Sequence, residues 1–319
     1  LGTTHCTNAV TERKKLNQVG VIRIGAPATL AIRPLLEWPD DLADAIGNHT
    51  SIVEGGHEFN GDLITDLDEE AVREFCRKKS ELVDSIAVTS VFSPVRDDHE
   101  ERVAEIVRDE LGEETPISLS SEIGSVGLLE RENATILNAS LTSVIREASS
   151  AFRAAMEKHD LDAHLYFGQN DGTLMSVDYA ERYPIFTVAC GPANSIRGAA
   201  YLSGMQDGII TDVGGTTTDV GALSDGFPRE SAVAVEIGGV KTNFRMPDLI
   251  SIGLGGGGIV RDEDSAVTVG PERVGYEIVS EDRVFGGDVS TATDGALGFG
   301  RGAFGTTNTN LGAEHVEPP

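Results

Sequence analysis

The chain of 319 residues carries 52 acidic and 25 basic side chains, giving a formal net charge of −27, and 39% of its residues are hydrophobic. This length can bury a substantial core and suggests two domains. So large an acidic excess argues against nucleic acid or an anionic membrane as a partner, because both are themselves negative.

The first third of the chain alternates between strand and helix patterns. Residues 19–25 and 116–121 are strand candidates, and residues 85–92 form a nearly continuous apolar, β-branched run that is typical of a buried strand. Asp66 followed by Glu69 has capping-box spacing ahead of a helix pattern, and a charged amphipathic helix pattern over 97–112 ends at a glycine. This order predicts crossover connections and a sheet that is at least partly parallel.

Residues 130–159 form the longest helix pattern. Its apolar positions recur with a period near 3.6 and are predicted to face the core; they are Ile136, Leu137, Leu141, Val144, Ile145, Ala148, Phe152 and Met156. Downstream, the composition shifts toward glycine and β-branched residues. The change of domain is therefore placed near Glu130, with one domain over 1–129 and a second over 130–319.

Two polar groups are candidates for a ligand site. A turn between apolar runs contains Gln169, Asn170 and Asp171, and Glu122 directly follows a predicted strand. Carboxylates and amides at strand ends of an α/β sheet often line the ligand crevice. A surface turn and a charged helix start are the alternatives.

Residues 186–204 predict a strand, a Gly-Pro break and then a helix of small residues. Pro192 suits the first turn of that helix, where free N–H groups can face an anion. A tight strand-to-helix junction that requires small residues is an equally good interpretation.

Residues 209–223 predict a β-hairpin with a two-residue turn at Gly214 and Gly215. Carboxylates flank the turn at Asp212 and Asp219, and threonines follow it at Thr216, Thr217 and Thr218. Such a turn can direct backbone N–H groups and hydroxyls at one anion, while Asp212 is placed to hold a hard cation that the anion shares. The pattern predicts a phosphate and magnesium site; a purely structural hairpin is the alternative.

Four consecutive glycines follow some thirty residues later, at Gly255, Gly256, Gly257 and Gly258. Such a run loses backbone entropy on folding and requires a reason. One reason is the close approach of a flat or anionic ligand, and the other is a flexible loop. Apolar flanks favour an ordered strand–turn–helix element, which together with the hairpin would form a nucleotide site.

Three well-separated cysteines without a CxxC pair argue for a reducing, cytoplasmic compartment. The acidic residues are spread along the chain, as expected of a surface suited to a salt-rich cytoplasm; ordinary solubility at low pI is the alternative. No apolar run reaches the length of a membrane span.

Several motifs occur in the order typical of one family: GTTHCTNAVTERK, LLERENATILNASL, QNDGTLMS, CGPANSIRGAAYLSG, TDVGGTTTDV and SIGLGGGGIV. In these the chain resembles the hydantoinase/oxoprolinase A-type proteins of the actin-like ATPase superfamily. The resemblance implies an α/β fold of ribonuclease H-like, actin-type ATPase domains, with mixed sheets flanked by helices. Residues 1–129 would be the remainder of the N-terminal domain and 130–319 the ATPase domain. The family's first phosphate hairpin is absent, so a preceding segment is expected.

The resemblance also implies a function, the ATP-dependent opening of a cyclic amide such as 5-oxoproline or a hydantoin by phosphorylation of its carbonyl oxygen, with Mg²⁺. On this basis Asp212 orients Mg²⁺ or its water, and Asp219 supports the turn or the metal. The phosphate oxygens are assigned to Gly214, Gly215, Thr216 and Thr217, and the adenosine side to Gly255, Gly256, Gly257 and Gly258. Glu122, Asn170 and Asp171 are assigned to the substrate side, with Glu122 as a catalytic carboxylate.

The chain departs from the family pattern where QNDGT replaces the SNGG turn and CGPANS replaces SGPAGG, so its substrate is expected to differ from the family's named ones. An ATP-dependent ketone carboxylase subunit and a non-catalytic, nucleotide-binding regulatory subunit are the alternative functions. A B-type partner subunit and a homo-oligomer are expected, and neither nucleic acid nor a membrane is expected as a partner.

Overall fold

The fold was analysed in a computed structural model, which describes residues 1–231, 235–244, 246–263 and 266–300. The chain divides into two compact units, the first formed by Leu1–Asn194 and Glu230–Pro247, the second by Ser195–Arg229 and the chain from Asp248 onward. These units are a different partition from the predicted family domains, whose division near Glu130 stays a prediction. Residues 301–319 of the predicted second domain lie outside the described residues.

The secondary structure alternates between helices and strands in the first half and is mostly β in the second. The helices are α1 (His5–Glu12), α2 (Asp40–Ala45), α3 (Glu69–Lys79), α4 (Asp98–Leu111), α5 (Ser120–Ile123), α6 (Leu128–Lys158), α7 (Val177–Arg182), α8 (Cys190–Ser203), α9 (Ile278–Glu281) and α10 (Ala292–Gly298). The strands are β1 (Val19–Ala26), β2 (His49–Glu54), β3 (Ser85–Ser90), β4 (Ile117–Leu119), β5 (Tyr166–Gly168), β6 (Leu174–Ser176), β7 (Gly208–Val213), β8 (Thr218–Ser224), β9 (Phe227–Pro228), β10 (Val235–Ile237), β11 (Val240–Thr242), β12 (Leu249–Ile252), β13 (Gly258–Glu263) and β14 (Ala266–Arg273).

The first unit is built on a parallel four-stranded sheet in the order β2-β1-β3-β4. Residues of β1 alternate between its two faces: Ile22 and Ile24 pack with α3 and α4, whereas Val19 and Val21 pack in the core that contains α6. Burial of both faces explains why the strands are nearly continuous apolar runs. The predicted parallel α/β sheet is confirmed.

Helix α6 supplies much of the first unit's core. The six predicted core positions from Ile136 to Ala148 are buried, as predicted. Toward the end of the helix, Phe152 and Met156 are only partly buried. The three cysteines are buried and free.

Two local predictions in the first unit are wrong. The N-cap of α3 is Asp68, which accepts a hydrogen bond from the Ala71 N–H at 3.0 Å, so the predicted capping box with Asp66 does not form. The predicted strand after Phe186 is absent, because Pro184–Thr187 is a 3₁₀ helix, which the proline favours at its start. Pro192 lies in the first turn of α8, as predicted.

The second unit contains an antiparallel sheet in the order β12-β8-β7, with β9 paired to β8, and a separate hairpin of β13 and β14. Ile196 and Ala200 of α8 pack with Leu223 of the sheet in a small core. The helix predicted after the four glycines is wrong: the segment forms β13, since glycines disfavour a helix and Val260 pairs with Val269 of β14. No helix of the described chain combines the length and the apolar content that a bilayer span requires.

Candidate functional site

The predicted hairpin is present in the second unit. Strands β7 and β8 pair in antiparallel register as far as Val213 and Thr218. Its turn is longer than predicted, with four residues over 214–217 rather than the Gly-Gly pair alone, and the Gly214 N–H donates to the Thr217 carbonyl at 2.9 Å. The threonines therefore belong to the turn itself, which extends the polar surface that the sequence predicted.

The turn presents several hydrogen-bond donors without acceptors. Within the described chain, the backbone N–H groups of Gly215, Thr216 and Thr217 and the hydroxyls of the two threonines make no hydrogen bond. Gly215 and Thr216 are exposed and Thr217 is half-buried. Successive backbone N–H groups in a turn form an anion-binding concavity. The chemistry of the turn therefore suits phosphate oxygens.

The four-glycine loop packs directly on this turn. The Gly256 N–H donates to the Gly214 carbonyl at 2.9 Å, and the Gly257 N–H donates to the Gly215 carbonyl at 2.7 Å. A Cβ on Gly255 would lie 2.6 Å from the Thr216 nitrogen, so no side chain fits there. The sequence offered a ligand or a flexible loop as the reason for these glycines. The structure adds a third reason, the close approach of two backbones.

Two carboxylates stand beside the turn. Asp212 and Asp219 are directly opposite each other across β7 and β8, so their side chains share one face of the sheet. The Ser251 hydroxyl donates to Asp219 Oδ1 at 2.6 Å, whereas the Asp212 carboxylate has no hydrogen bond or ion pair with any described residue. Like charges placed opposite each other repel, and a cation between them would relieve the repulsion.

Magnesium fits this donor set, because it usually binds one or two carboxylates and keeps waters or phosphate oxygens as its other ligands. Among the described residues, no three or more His, Cys, Asp or Glu side chains form a group that could hold a metal. A magnesium ion at Asp212 would therefore take most of its ligands from water and phosphate.

Two buried carboxyl groups, those of Asp282 and Asp294, support the glycine loop through the start of α10. The Thr293 N–H and hydroxyl both donate to the Gly256 carbonyl, at 2.9 and 2.8 Å. Thr293 follows the N-cap of α10, Thr291, whose hydroxyl donates to Asp282 Oδ2 at 2.7 Å and whose N–H donates to Asp294 Oδ2 at 2.9 Å. Burial, and next the hydrogen bond with Asp294, raise the pKa of Asp282 to about 6.

We expect the substitution Asp282→Asn to make the protein more stable at neutral pH. Since the pKa of Asp282 is about 6 in the folded state against an ordinary 3.8, the folded state holds this proton more tightly than the unfolded state does. The group therefore reduces stability progressively as pH rises from about 4 to about 6. Asparagine keeps an acceptor for the Val284 N–H and a donor toward Asp294 and cannot ionise, but its NH2 group does not accept the Thr291 hydroxyl. The gain at pH 7 should be on the order of 2 kcal/mol.

Thermal unfolding followed by circular dichroism between pH 4 and pH 7 measures this effect. The exposed Asp288→Asn, in the same segment, is the matched control and should follow the wild-type pH profile. Parallel profiles for wild type and Asp282→Asn would show that the Asp282 carboxyl is not protonated in the folded state.

The first unit contains a cavity of about 500 Å³ at the turn between β5 and β6. Its lining includes Asn170 and Asp171 of that turn, Gly124 after α5, and Asn243 after β11, with an aromatic part formed by Tyr179, Phe186 and Phe244. The structure thus brings two of the predicted substrate-side residues to one cavity. Their role in binding substrate stays a prediction.

Asp171 is committed to its own turn. Its Oδ1 accepts the Thr173 N–H at 2.8 Å and the Thr173 hydroxyl at 2.6 Å, and its Oδ2 accepts the Gln169 amide at 3.3 Å. Gly172 has φ +84°, a conformation that favours glycine. Asp171 therefore orders the turn that carries Asn170.

Glu122 lies apart from this cavity. It lines a different one, of about 300 Å³, and pairs there with Arg182. Burial raises the pKa of the Tyr183 hydroxyl, and the hydrogen bond to Glu122 raises it further. The structure therefore does not bring Glu122 together with Asn170 and Asp171, and its catalytic role stays a prediction.

Asn243 and Phe244 line the cavity but were missed by the sequence analysis, as was Ser251 beside Asp219. Asn243 reaches the first unit because the chain returns to it over Glu230–Pro247. No local spacing connects these residues with Asn170. The cross-strand pairing of Ser251 with Asp219 could have been found only by predicting that β12 is the neighbour of β8.

Comparison with known proteins gives consistent matches along the chain. Residues 131–302 match the family model described as hydantoinase/oxoprolinase, and residues 1–111 match that described as hydantoinase/oxoprolinase N-terminal region. The chain is 29% identical over 258 residues to the acetophenone carboxylase gamma subunit of Aromatoleum aromaticum. The matched region covers 76% of this chain and 34% of that protein. It is 26% identical over 270 residues to caprolactamase subunit alpha of Pseudomonas jessenii, covering 82% of this chain and 37% of that protein.

Among solved structures, the ATP-dependent caprolactamase from Pseudomonas jessenii superposes with a TM-score of 0.73 at 21% identity, over 99% of this chain and 48% of that one. This likeness confirms the predicted α/β fold with mixed sheets flanked by helices. The chain spans about a third of the length of the carboxylase and caprolactamase subunits named above.

Proposed function

This chain belongs to the hydantoinase/oxoprolinase family, and from that premise we propose that it binds Mg-ATP and uses it to open a cyclic amide. The observation that carries the proposal is the hairpin turn, whose three N–H groups over 215–217 lack acceptors among the described residues and whose flank carries Asp212. The contact between this turn and the glycine loop supports the proposal, because it holds the turn in one conformation.

The chemistry explains why ATP is used. A lactam carbonyl is a poor electrophile, and transfer of the terminal phosphoryl group to its oxygen, with release of ADP, activates the carbon toward water. Water then adds to this carbon, and the C–N bond breaks as the nitrogen gains a proton, which leaves the ring-opened acyl phosphate. A second water hydrolyses the acyl phosphate to the carboxylate and inorganic phosphate. Catalysis of such a transfer is mostly positioning and stabilisation of charge.

The residues of the turn have defined roles in this proposal. The N–H groups of Gly215, Thr216 and Thr217 and the two threonine hydroxyls hold phosphate oxygens, whereas the N–H of Gly214, which the sequence also assigned to phosphate, donates to the Thr217 carbonyl. Asp212 would hold Mg²⁺, and the ion would neutralise part of the phosphate charge. The carboxylate of Asp219 lies on the same face of the sheet and is held there by the Ser251 hydroxyl. Gly255–Gly258 are assigned to the adenosine side, and Asn170 and Asp171 to the substrate.

A ketone carboxylase subunit is the second candidate function, and the 29% identity with the acetophenone carboxylase gamma subunit favours it. Both relatives are named as subunits, so we propose that this chain also works with a partner subunit of the B type; a homo-oligomer stays a further prediction. The net charge of −27 supports operation in a salt-rich cytoplasm.

Substitution Asp212→Ala in the full-length protein tests the phosphate and magnesium site. We expect the dissociation constant for Mg-ATP to rise at least about tenfold, because a carboxylate ligand of the cation is removed. Isothermal titration calorimetry in molar KCl, with and without Mg²⁺, measures it. Asp262→Ala, an exposed carboxylate on β13 of the same unit, is the matched control. Unchanged affinity in a folded Asp212→Ala protein would remove Asp212 from the site.

The reaction is tested by ADP release from the full-length protein with its partner subunit. Release that depends on a lactam or hydantoin, with the ring-opened product, supports the amidohydrolase. Release that depends on a ketone with bicarbonate would replace it with the carboxylase. Tight Mg-ATP binding without release for any of these compounds would replace both with a regulatory subunit.

A further inference from the structure

The side chain of Asn170 has an unusual environment at the wall of the cavity in the first unit. The residue is 1% exposed, and its backbone N–H donates to the Phe186 carbonyl at 2.9 Å, which fixes the main chain. Its amide nitrogen is buried without an acceptor among the described residues. Within the same residues, no hydrogen bond reaches its side-chain oxygen either. The whole carboxamide is therefore unpaired.

A buried asparagine nearby shows what the fold normally provides. Asn138 is fully buried, its amide nitrogen donates to the Ser118 hydroxyl at 2.9 Å and the Arg182 carbonyl at 3.0 Å, and its oxygen accepts the Ile185 N–H at 3.2 Å. Native proteins rarely leave buried polar groups unpaired, because the loss of hydration is then uncompensated. The contrast indicates that the partner of Asn170 is a ligand of the cavity.

The geometry of a carboxamide limits what this ligand can be. It presents one N–H donor and one carbonyl acceptor side by side in a plane. Both are satisfied at once by a group with an acceptor and a donor on one edge, as when asparagine pairs with adenine. A ring holds its amide cis, so that C=O and N–H lie on the same edge. An open-chain secondary amide is trans, and a ketone has no N–H.

Another part of the cavity lining, at Asn243, is also fixed. The Asn243 amide nitrogen faces three carbonyls, those of Ser125, Val126 and Gly127, at 3.2 to 3.3 Å. Carbonyl oxygens only accept hydrogen bonds, so the NH2 group of Asn243 must be the end that faces them. The side-chain oxygen of Asn243 is then a buried acceptor that has no donor in the described chain. The same oxygen is 2.5 Å from where a Cβ on Gly124 would lie, so a side chain at this position would displace the Asn243 amide.

Aromatic rings form the apolar part of the cavity. Phe186 is stacked with Tyr179 at a centroid distance of 6.3 Å and an interplanar angle of 16°, and it meets Phe244 edge to face at 6.0 Å. Ligand pockets typically combine such apolar walls with a few polar groups that fix orientation. The methylene groups of a small ring match these walls.

We propose that this cavity recognises the cis-amide edge of a cyclic amide, with the Asn170 amide donating to the ring carbonyl and its oxygen accepting the ring N–H. The inference rests on the proposed function and adds a rule of specificity, namely that the ring N–H is required. Ketones and N-alkylated lactams are excluded by it. The carbonyl oxygen has two lone pairs, so the hydrogen bond from Asn170 leaves one to attack phosphorus.

Three small compounds of one ring size test the rule: 2-pyrrolidinone, N-methyl-2-pyrrolidinone and cyclopentanone. Their binding to the full-length protein is measured by ligand-observed NMR, and their stimulation of ADP release is measured in parallel. We expect wild-type protein to bind 2-pyrrolidinone at least about tenfold more tightly than either other compound, because a lost buried hydrogen bond weakens binding by this order. Asn170→Ala should bind all three equally weakly.

A stability measurement separates recognition from a structural role. Because the Asn170 carboxamide makes no hydrogen bonds in the described fold, Asn170→Ala should unfold within about 2 °C of wild type, whereas Asn138→Ala should unfold at least about 4 °C lower. A large loss of stability in Asn170→Ala would overturn the assignment, since the side chain would then have a partner in the fold.

The inference and the proposed function fail in different ways. Equal binding of the lactam and its N-methyl derivative, or a preference that survives in Asn170→Ala, overturns the inference even if lactams stimulate ADP release. Preference for 2-pyrrolidinone that is lost in Asn170→Ala, without ADP release for any lactam, supports the recognition site and overturns the amidohydrolase.

Discussion

The substitution Gly255→Ala should severely weaken Mg-ATP binding while leaving the protein folded. The new Cβ would lie 2.6 Å from the Thr216 nitrogen and 2.7 Å from the Gly215 carbonyl carbon, both of them backbone atoms of the hairpin turn. Neither backbone can yield without breaking the hydrogen bonds that join the loop to the turn. We expect the turn to be displaced and the affinity for Mg-ATP to fall at least about a hundredfold, or about 3 kcal/mol.

Calorimetric titration of Mg-ATP measures the loss, with far-UV circular dichroism to establish that the variant is folded. Gly253→Ala is the matched control in the same loop, because its Cβ would meet only the Pro271 side chain at an ordinary 3.6 Å. Gly253→Ala should bind like wild type. If Gly255→Ala also bound like wild type, the contact between loop and turn would have no part in nucleotide binding.

The second large effect is expected from the buried ion pair between α6 and β1, one of the two inner strands of the parallel sheet. Arg23 and Glu132 are 0% and 1% exposed at their side chains, and Arg23 Nε donates to Glu132 Oε1 at 2.7 Å. Glu132→Leu leaves the arginine charge buried without its partner. We expect the free energy of unfolding of the first unit to fall by about 3–5 kcal/mol.

Urea unfolding followed by the fluorescence of Trp38 measures this change in the first unit. Trp38 is the protein's one tryptophan, and its indole N–H donates to Asn133 Oδ1 at 2.7 Å, directly beside Glu132 on α6. The double variant Arg23→Met with Glu132→Leu should recover most of the loss, because replacing both charges by apolar groups removes the unpaired ion.

Glu147→Leu is the matched control on the same helix. Its carboxylate pairs with Lys15 at 3.1 Å, but both side chains are 67% exposed, so the loss should be under about 1 kcal/mol. Equal losses for Glu132→Leu and Glu147→Leu would contradict the argument that burial makes the Arg23 pair important.

The sequence was sufficient for the features that depend on neighbours along the chain. The strand candidate over 19–25 and the continuous apolar run over 85–92 identified β1 and β3. A 3.6 period identified the buried part of α6, because such a pattern records which face of a helix is apolar. Its predictions failed where local signals competed, as at Asp66 and Asp68, which both precede the same helix, and after Phe186, where Pro184 begins a 3₁₀ helix.

The sequence by itself determined the family, the α/β fold and the hairpin, because each depends on residue types at fixed short spacings. Only the tertiary structure decided that the glycine loop packs on the hairpin turn, that Asn243 meets Ser125 across 118 positions of chain, and that Asn170 makes no side-chain hydrogen bond among the described residues. The physical reason is that a hydrogen bond between distant segments depends on how whole elements pack. No local pattern in the sequence records that packing.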